Sequence, residues 1–158
     1  MKSKAKVVVI GGGVVGVSTL YHLAKKGWSD VVLCERKELT SGSTWHAAGL
    51  MPLFNMSYSV GQIHKYSVKF YQELEKETGQ DVGFREVSNI RLAENQDRMD
   101  EYRQYAGVAE TIGVKVNFLT PEEIQKAWPL CSIDGLVGAI QHPEDGYIQP
   151  NDLTPVSY

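Results

Sequence analysis

The spacing Gly11-x-Gly13-x-x-Gly16 narrows the possible folds of this chain more than any other feature. Lys6-Val7-Val8-Val9-Ile10 precedes it as a short, β-branched apolar run and reads as a buried parallel strand. Val14 through Lys26 reads as a helix with Val17, Leu20, Tyr21 and Leu23 toward the core, ended by Gly27. Val31-Val32-Leu33-Cys34 reads as a second buried strand. Strand, glycine turn, helix and strand together make a Rossmann-like βαβ unit. In such a unit Gly11 permits the tight turn, Gly13 lets a pyrophosphate approach the backbone, and Gly16 lets helix and strand pack closely. The pyrophosphate would meet backbone N–H groups at the helix N-terminus, where the dipole amounts to about half a positive charge. Glu35 ends the second strand at the expected distance of roughly 20 residues, where its carboxylate can accept from the adenosine ribose hydroxyls. An acid there repels a 2′-phosphate, which argues against NADP. The adjacent Arg36 is in reach of adenine or ribose.

The 158 residues suffice for a real core, and 42% hydrophobic with 22% charged residues reads as a soluble globular chain. A net charge of -3 gives no reason to expect nucleic acid or an anionic membrane as partner. No apolar run approaches the roughly 20 residues needed to cross a bilayer. The first strand starts so early that no room for a targeting peptide is expected. Two cysteines make no disulfide framework, and Cys34 and Cys131 read as buried structural thiols of a reducing compartment. A bacterial cytoplasm is the simplest location; the mitochondrial matrix is the alternative for a processed eukaryotic chain. No His, Cys, Asp or Glu set has metal-ligand spacing.

Beyond the βαβ unit, a polar loop leads to Ser43, which reads as the N-cap of a short helix over Thr44 to Ala48. A helical period marks Tyr58 to Thr78, with Ile63, Tyr66, Phe70 and Leu74 on one face and Gly79 as its end. Asn89 to Ala93 reads as a strand, Gln96 to Ile112 as a helix closed by Gly113, and Val114 to Leu119 as a strand. Thr120-Pro121-Glu122-Glu123 is a helix start, with the helix ending near Trp128-Pro129. Leu136 to Gln141 and Tyr147 to Gln149 read as strands around a Pro-Glu-Asp-Gly turn. Asn151 to Thr154 begins a helix that Pro155 and the terminal Tyr158 are expected to cut short. The class is α/β (α+β overall). Residues 1–50 form the dinucleotide-binding part, and residues 51–158 the helical and mixed-strand beginning of a second, substrate-binding region.

The segment Gly42-Ser43-Thr44-Trp45-His46-Ala47-Ala48-Gly49-Leu50 places a histidine among small residues just past the βαβ unit. There an extended dinucleotide runs on toward its reactive ring, and a flat ring could approach the backbone. Ser43 and Thr44 offer hydroxyls, and the short helix offers N–H donors to phosphate. A neutral imidazole nitrogen is a competent nucleophile toward an activated flavin methyl group, so FAD becomes the favoured nucleotide. His64 and His22 on helices and His142 at a turn read as structural. The charged stretch Glu94 to Arg103 reads as a solvated helix face.

The runs Gly11-Gly12-Gly13-Val14-Val15-Gly16-Val17-Ser18, Cys34-Glu35-Arg36 and Glu38 to Leu50 resemble the N-terminus of the dimethylglycine and sarcosine dehydrogenase family. These are FAD-dependent relatives of D-amino-acid oxidase. The likeness continues through Tyr71 to Gln80, Ile90 to Ala93 and Asp145 to Pro150. The Ser-Thr-Trp-His-Ala-Ala-Gly stretch is its most specific part. The resemblance implies a covalent bond from His46 to the flavin. It also implies FAD contacts along Gly11, Gly13, Val14, Val15, Gly16, Glu35, Arg36, and Gly42, Ser43, Thr44, Trp45, His46, Ala47, Ala48, Gly49 and Leu50. The implied activity is oxidation of a small methylated amine, with electrons passed on to an acceptor and tetrahydrofolate serving only the full-length protein.

The resemblance implies a catalytic region more than twice as long as this chain. The sequence therefore reads as a fragment, a truncated product or one partner of a split protein. Alone it is expected to lack catalysis and to expose apolar surface. The alternatives are an oxidase of another amine or amino acid, related to D-amino-acid oxidase, and a non-catalytic flavin-binding module completed by a C-terminal half. An NAD-dependent dehydrogenase would leave Ser43 to Leu50 without a role.

Overall fold

A computed structural model describes residues 3–53 and 55–156. In chain order the elements are β1 (Val7–Ile10), α1 (Val14–Lys25), β2 (Val31–Cys34), a 3-10 turn (Thr44–His46), β3 (Leu50–Met51) and α2 (Tyr58–Thr78). They continue with β4 (Arg85–Glu86), β5 (Asn89–Ala93), α3 (Gln96–Ile112), β6 (Asn117–Leu119), α4 (Pro121–Ala127), β7 (Gly138–His142), β8 (Gly146–Tyr147) and α5 (Pro150–Val156). Two compact units form: Met1–Leu50 with Tyr71–Phe84 and Ile148–Tyr158, and Met51–Phe70 with Arg85–Tyr147. Among the described residues no helix is long and apolar enough to cross a membrane.

In the first unit β1 and β2 pair in parallel, from Val7 with Val31 to Ile10 with Cys34. The crossover helix α1 starts at Val14 because the glycines before it hold the chain in a turn, and it stops where Gly27 takes up φ 84°. Val17, Leu74, Val82, Phe84, Ile148 and Leu153 are buried in this unit. The expected burial of both strands is corrected here. Ile10 is 86% exposed, and Cys34 is exposed rather than a buried thiol. Helix α1 packs on this two-stranded sheet, and each strand's alternate residues point away from it. Cys131 is half-buried. On the surface, the Tyr21 hydroxyl (2.9 Å) and the Lys25 ammonium (3.0 Å) both donate to Glu77 near the end of α2.

At Gly49 φ is +74°, and a Cβ there would lie 2.1 Å from the Ile148 carbonyl oxygen. The Ile148 N–H donates back to the Gly49 carbonyl at 2.8 Å. Only glycine allows the end of the His46 segment to close on the strand-like stretch before α5. Helix α5 passes Pro155 and reaches Val156, whereas Tyr158 lies outside the described residues.

The second unit has two small sheets. Its larger one runs β5-β7-β6, antiparallel throughout, with Ile140 opposite both Arg91 and Phe118. The other runs β3-β8-β4. The expected pair of strands around Pro-Glu-Asp-Gly therefore does not pair with itself: β7 and β8 serve different sheets. Strand β6 is also shorter than expected, starting at Asn117. Helix α3 is capped by the Asn95 side chain, which accepts from the Arg98 N–H, and is closed by Gly113 at φ 76°. Its Met99, Tyr102, Ala109 and Ile112 recur at helical spacing and are buried, Met99 and Tyr102 against Ala93 and Ile140. Helix α4 begins with a complete capping box, Thr120 to Glu123 and back, with Pro121 in its first turn. On α2 the expected core stripe is only half correct. Phe70 and Leu74 are buried, but Ile63 is 62% exposed and Tyr66 57% exposed.

Asp145 organises the turn between β7 and β8. It is 2% exposed; its Oδ1 accepts from the Leu53 N–H at 2.9 Å. Its carbonyl accepts from the N–H groups of Val87 (3.1 Å) and Ser88 (2.8 Å). Burial pushes the Asp145 carboxyl up, opposed by the Leu53 N–H and the charges of Arg91 and His64. His142, expected at a turn, instead ends β7 with 1% exposure and packs edge-on against Tyr105. Burial, aided by the Arg91 cation, pushes its imidazole down to about 4.

Two stability predictions follow from this packing. Ile140→Ala should cost about 2–5 kcal/mol, and Thr120→Ala about 1 kcal/mol, measured by urea unfolding. Equal losses would mean that Ile140 does not anchor the sheet. The second concerns acid. His142 titrates lower folded than unfolded, so its contribution is present above the unfolded value of about 6.5 and is lost as pH falls toward about 4. Asp145 acts with the opposite sign, its contribution lost as pH rises through its raised folded value. Because Asp145 works against His142 over this range, the His142 contribution is read as a difference: between pH 6.5 and 4 His142→Phe should lose less melting temperature than wild type. An equal loss would remove His142 as a contributor.

Candidate functional site

The first unit gathers the expected nucleotide residues at the carboxyl ends of β1 and β2. Leaving β1, the chain turns at Gly11 (φ 110°), whose N–H closes on the Cys34 carbonyl at 2.9 Å. A Cβ at Gly16 would lie 1.9 Å from the Gly11 carbonyl oxygen, so α1 can approach this turn only with glycine there. A groove of about 340 Å³ lies beside it, lined by Ile10, Gly11, Cys34, Glu35 and Arg36. A larger depression of about 690 Å³, lined by Gln72, Glu75, Lys76, Gly79 and Phe84, contains none of the expected site residues.

Hydrogen bonding divides the backbone donors of the loop. Gly12 N–H donates to Glu35 Oε2 at 2.7 Å, and Lys37 N–H to Oε1 at 2.8 Å. These two donors hold the Glu35 carboxyl below the usual carboxylate range, so it is ionised at neutral pH. Carboxylate oxygens carry further lone pairs for hydroxyl donors. The Val14 N–H is engaged by Thr44 Oγ1 at 3.0 Å. The N–H groups of Gly13 and Val15 remain to meet an anion at the start of α1.

The segment from Leu39 to Leu50 folds back over this loop. Thr40, in the left-handed region at φ 66°, donates its N–H to the Gly12 carbonyl at 3.0 Å. Thr44 is buried, whereas Gly42, Ser43, Trp45, His46, Ala47, Ala48 and Leu50 are exposed. The expected Ser43 cap does not form. Ser43 already has helical backbone angles, its side chain makes no cap bond, and the turn it opens ends at His46. The His46 ring stands 4.0 Å from the Trp45 ring, tilted by 40°. Its Nδ1 lies 3.0 Å from the Gly42 carbonyl, which can only accept. Nδ1 therefore carries the proton, and Nε2 is the lone-pair nitrogen of the neutral ring. Arg36 is exposed beside the groove. His22 bonds the Ser18 carbonyl inside α1 (2.7 Å), and His64 is half-buried on α2 in the second unit.

Two features of the site escape a reading of the sequence. Thr44 turns its hydroxyl inward to cap α1 from a distance of 30 residues. Thr40 takes a backbone conformation that side chains with a branched Cβ rarely adopt.

The family model for FAD dependent oxidoreductases matches residues 6–156. The chain belongs to this family. As a member of the FAD dependent oxidoreductase family it is 45% identical over 153 residues to the mitochondrial dimethylglycine dehydrogenase of Rattus norvegicus, covering 97% of this chain and 18% of that protein. It is 40% identical over 151 residues to the mitochondrial sarcosine dehydrogenase of Homo sapiens, covering 95% of this chain and 16% of that protein. The crystal structure of L-proline dehydrogenase from P. horikoshii superposes with a TM-score of 0.91 at 27% identity, over 99% of this chain and 41% of that one. The chain thus spans less than a fifth of the length of these two dehydrogenase relatives.

The family's cofactor fits the residues present. The missing Cβ atoms at Gly11 and Gly16 shape the turn, the groove beside Glu35 suits a ribose, and Gly13 and Val15 present N–H donors where a diphosphate would lie. Gly16→Ala should therefore abolish FAD binding, because the new Cβ meets backbone that cannot give way. Gly107→Ala on α3, where nothing lies within 4 Å, should leave binding within about threefold, a change of under 1 kcal/mol. Quenching of flavin fluorescence on titration measures both; equal affinities would show that this turn does not hold the nucleotide.

Proposed function

We propose that this chain is the FAD-binding N-terminal part of a flavin-dependent dehydrogenase of N-methyl amines, such as dimethylglycine or sarcosine, and that His46 carries the flavin covalently. The carrying observation is the geometry at His46. Its Nδ1 lies 3.0 Å from the Gly42 carbonyl, so in the neutral ring the lone pair is on Nε2, in an exposed segment fastened to the glycine loop. The similarity to dimethylglycine and sarcosine dehydrogenases supports the substrate class.

Within this reading each part has a task. Gly13 and Val15 N–H groups bind the diphosphate, and Glu35 orients the adenosine ribose while excluding a 2′-phosphate. Gly11 and Gly16 keep α1 close enough to do so. Arg36 flanks the adenosine, and the exposed residues between Ser43 and Leu50 run along the nucleotide toward the flavin, with Ala47 and Ala48 small enough to admit it, while the buried Thr44 faces α1. FAD, when bound, accepts the hydride that leaves an N-methyl carbon. The complete activity belongs to a longer assembly, in which a C-terminal half, in the same chain or a separate one, covers Val8 and Ile10 and supplies the substrate side. An electron acceptor then reoxidises the flavin, and tetrahydrofolate takes the one-carbon unit in the full-length protein. Either a bacterial cytoplasm or the mitochondrial matrix suits this chemistry.

The test is retention of flavin after acid denaturation, read by intact mass and visible absorbance. The protein loaded with FAD should keep one FAD mass, and His46→Ala should keep none while still binding FAD reversibly. Flavin retained by the denatured variant would overturn the role given to His46. Failure of dimethylglycine or sarcosine to bleach the flavin anaerobically in the assembly completed by the C-terminal half would overturn the substrate class.

A further inference from the structure

The 3-10 turn that carries His46 is anchored by one buried side chain, Thr44. Its Oγ1 accepts the Val14 N–H at 3.0 Å, across 30 residues of sequence. The same oxygen lies 2.9 Å from where a Cβ on Gly13 would sit, so Gly13 is needed for the hydroxyl to reach in. Two residues further on, the His46 N–H donates to the Ser43 carbonyl at 3.2 Å and its ring N–H to the Gly42 carbonyl. On the other side, Trp45 N–H reaches back to the Thr40 carbonyl at 3.4 Å, and Thr40 is itself bonded to Gly12. The imidazole is therefore connected to the first turn of α1 through a short path of hydrogen bonds. Thr44 is the point where that path leaves the local segment and enters the nucleotide loop.

We infer that Thr44 is a positioning residue for flavin attachment: its hydroxyl locks the His46 turn to α1, fixing the distance from imidazole to bound nucleotide. This rests on the proposed covalent role of His46. Attachment joins Nε2 to the flavin 8α-carbon as that methyl loses one proton and the imidazole another. The electron pair released enters the flavin ring and is removed by dioxygen, which leaves as hydrogen peroxide. Such a step depends on holding Nε2 at near-contact distance, and small misplacements of a reacting group slow it steeply. Reversible FAD binding draws on other contacts, the N–H groups of Gly13 and Val15 and the groove at Glu35, so it should depend far less on Thr44.

The substitutions Thr44→Val, which keeps the shape and removes the acceptor, and Thr44→Ser, which keeps the acceptor and removes the methyl, separate the roles. Apoprotein of wild type and both variants is mixed with FAD in air. Covalent flavin is followed by denatured intact mass over time, and reversible affinity by fluorescence quenching at early times. Thr44→Val should attach flavin at least about tenfold more slowly, the change expected from one lost hydrogen bond. Its Kd for FAD should stay within about threefold of wild type. Thr44→Ser should attach at close to the wild-type rate. Unchanged attachment in Thr44→Val would overturn the inference, as would a Kd loss that accounts for the whole effect. Should Thr44→Val not fold, Thr44→Ser decides: a wild-type rate supports the role of the hydroxyl and a slow rate overturns it. If wild type itself gains no covalent flavin, the reading of His46 falls first and this inference with it.

Discussion

At Gly16 the backbone of α1 passes so close to the Gly11 carbonyl that a Cβ would lie 1.9 Å from its oxygen. The rest of the first unit is arranged around that approach. Because α1 can press against the turn, its first N–H groups face the ends of β1 and β2. Glu35 can then reach the Gly12 N–H, and Thr44 the Val14 N–H. The Val14 bond satisfies a donor that the helix start leaves without an intrahelical partner, and the Gly12 bond one in the turn just before it. Each acceptor comes from a different later segment of the chain, so the donors around the helix start collect the residues that follow it.

This explains which parts of the structure are legible in the sequence. The boundaries of β1, α1, β2, α2, β5 and α3 depend on local chemistry: β-branched runs, glycines with positive φ such as Gly113, and a capping side chain such as Asn95. The capping box at Thr120 is equally local. Burial is not local. Ile63 and Tyr66 share the helical period of Phe70 and Leu74, yet only the latter two are covered. Cys34 lies in an apolar strand and is exposed, since among the described residues nothing in this unit covers it. Strands of two residues, such as β4 and β8, carry no periodic signal at all, since their pairing is decided by where Asp145 draws the chain.

The site shows the same division. Glycine spacing and Glu35 are visible as pattern because strand and helix ends bring them together within one βαβ unit. The choice between Ser43 and Thr44 is not. Both are competent caps by residue type, and only the return of the segment onto α1 decides that Thr44 is buried and Ser43 is left in water. A hydroxyl that satisfies a distant helix leaves no trace in the local sequence.

The division of backbone donors also constrains the electrostatics of any nucleotide bound here. Glu35 is anionic and close to where a diphosphate would approach, which by itself is unfavourable. Its charge is already compensated by the Gly12 and Lys37 N–H groups, which hold its carboxyl below the usual range. A carboxylate satisfied in this way presents its remaining lone pairs toward the groove, where ribose hydroxyls are better partners than phosphate oxygens. Of the backbone donors in the turn and at the start of α1, those of Gly12 and Val14 are committed to Glu35 and Thr44, which would leave those of Gly13 and Val15 for phosphates. The acid and a bound anion would thereby sit on separate sets of donors, and the missing Cβ atoms at Gly13 and Gly16 together with the positive φ of Gly11 let the turn form.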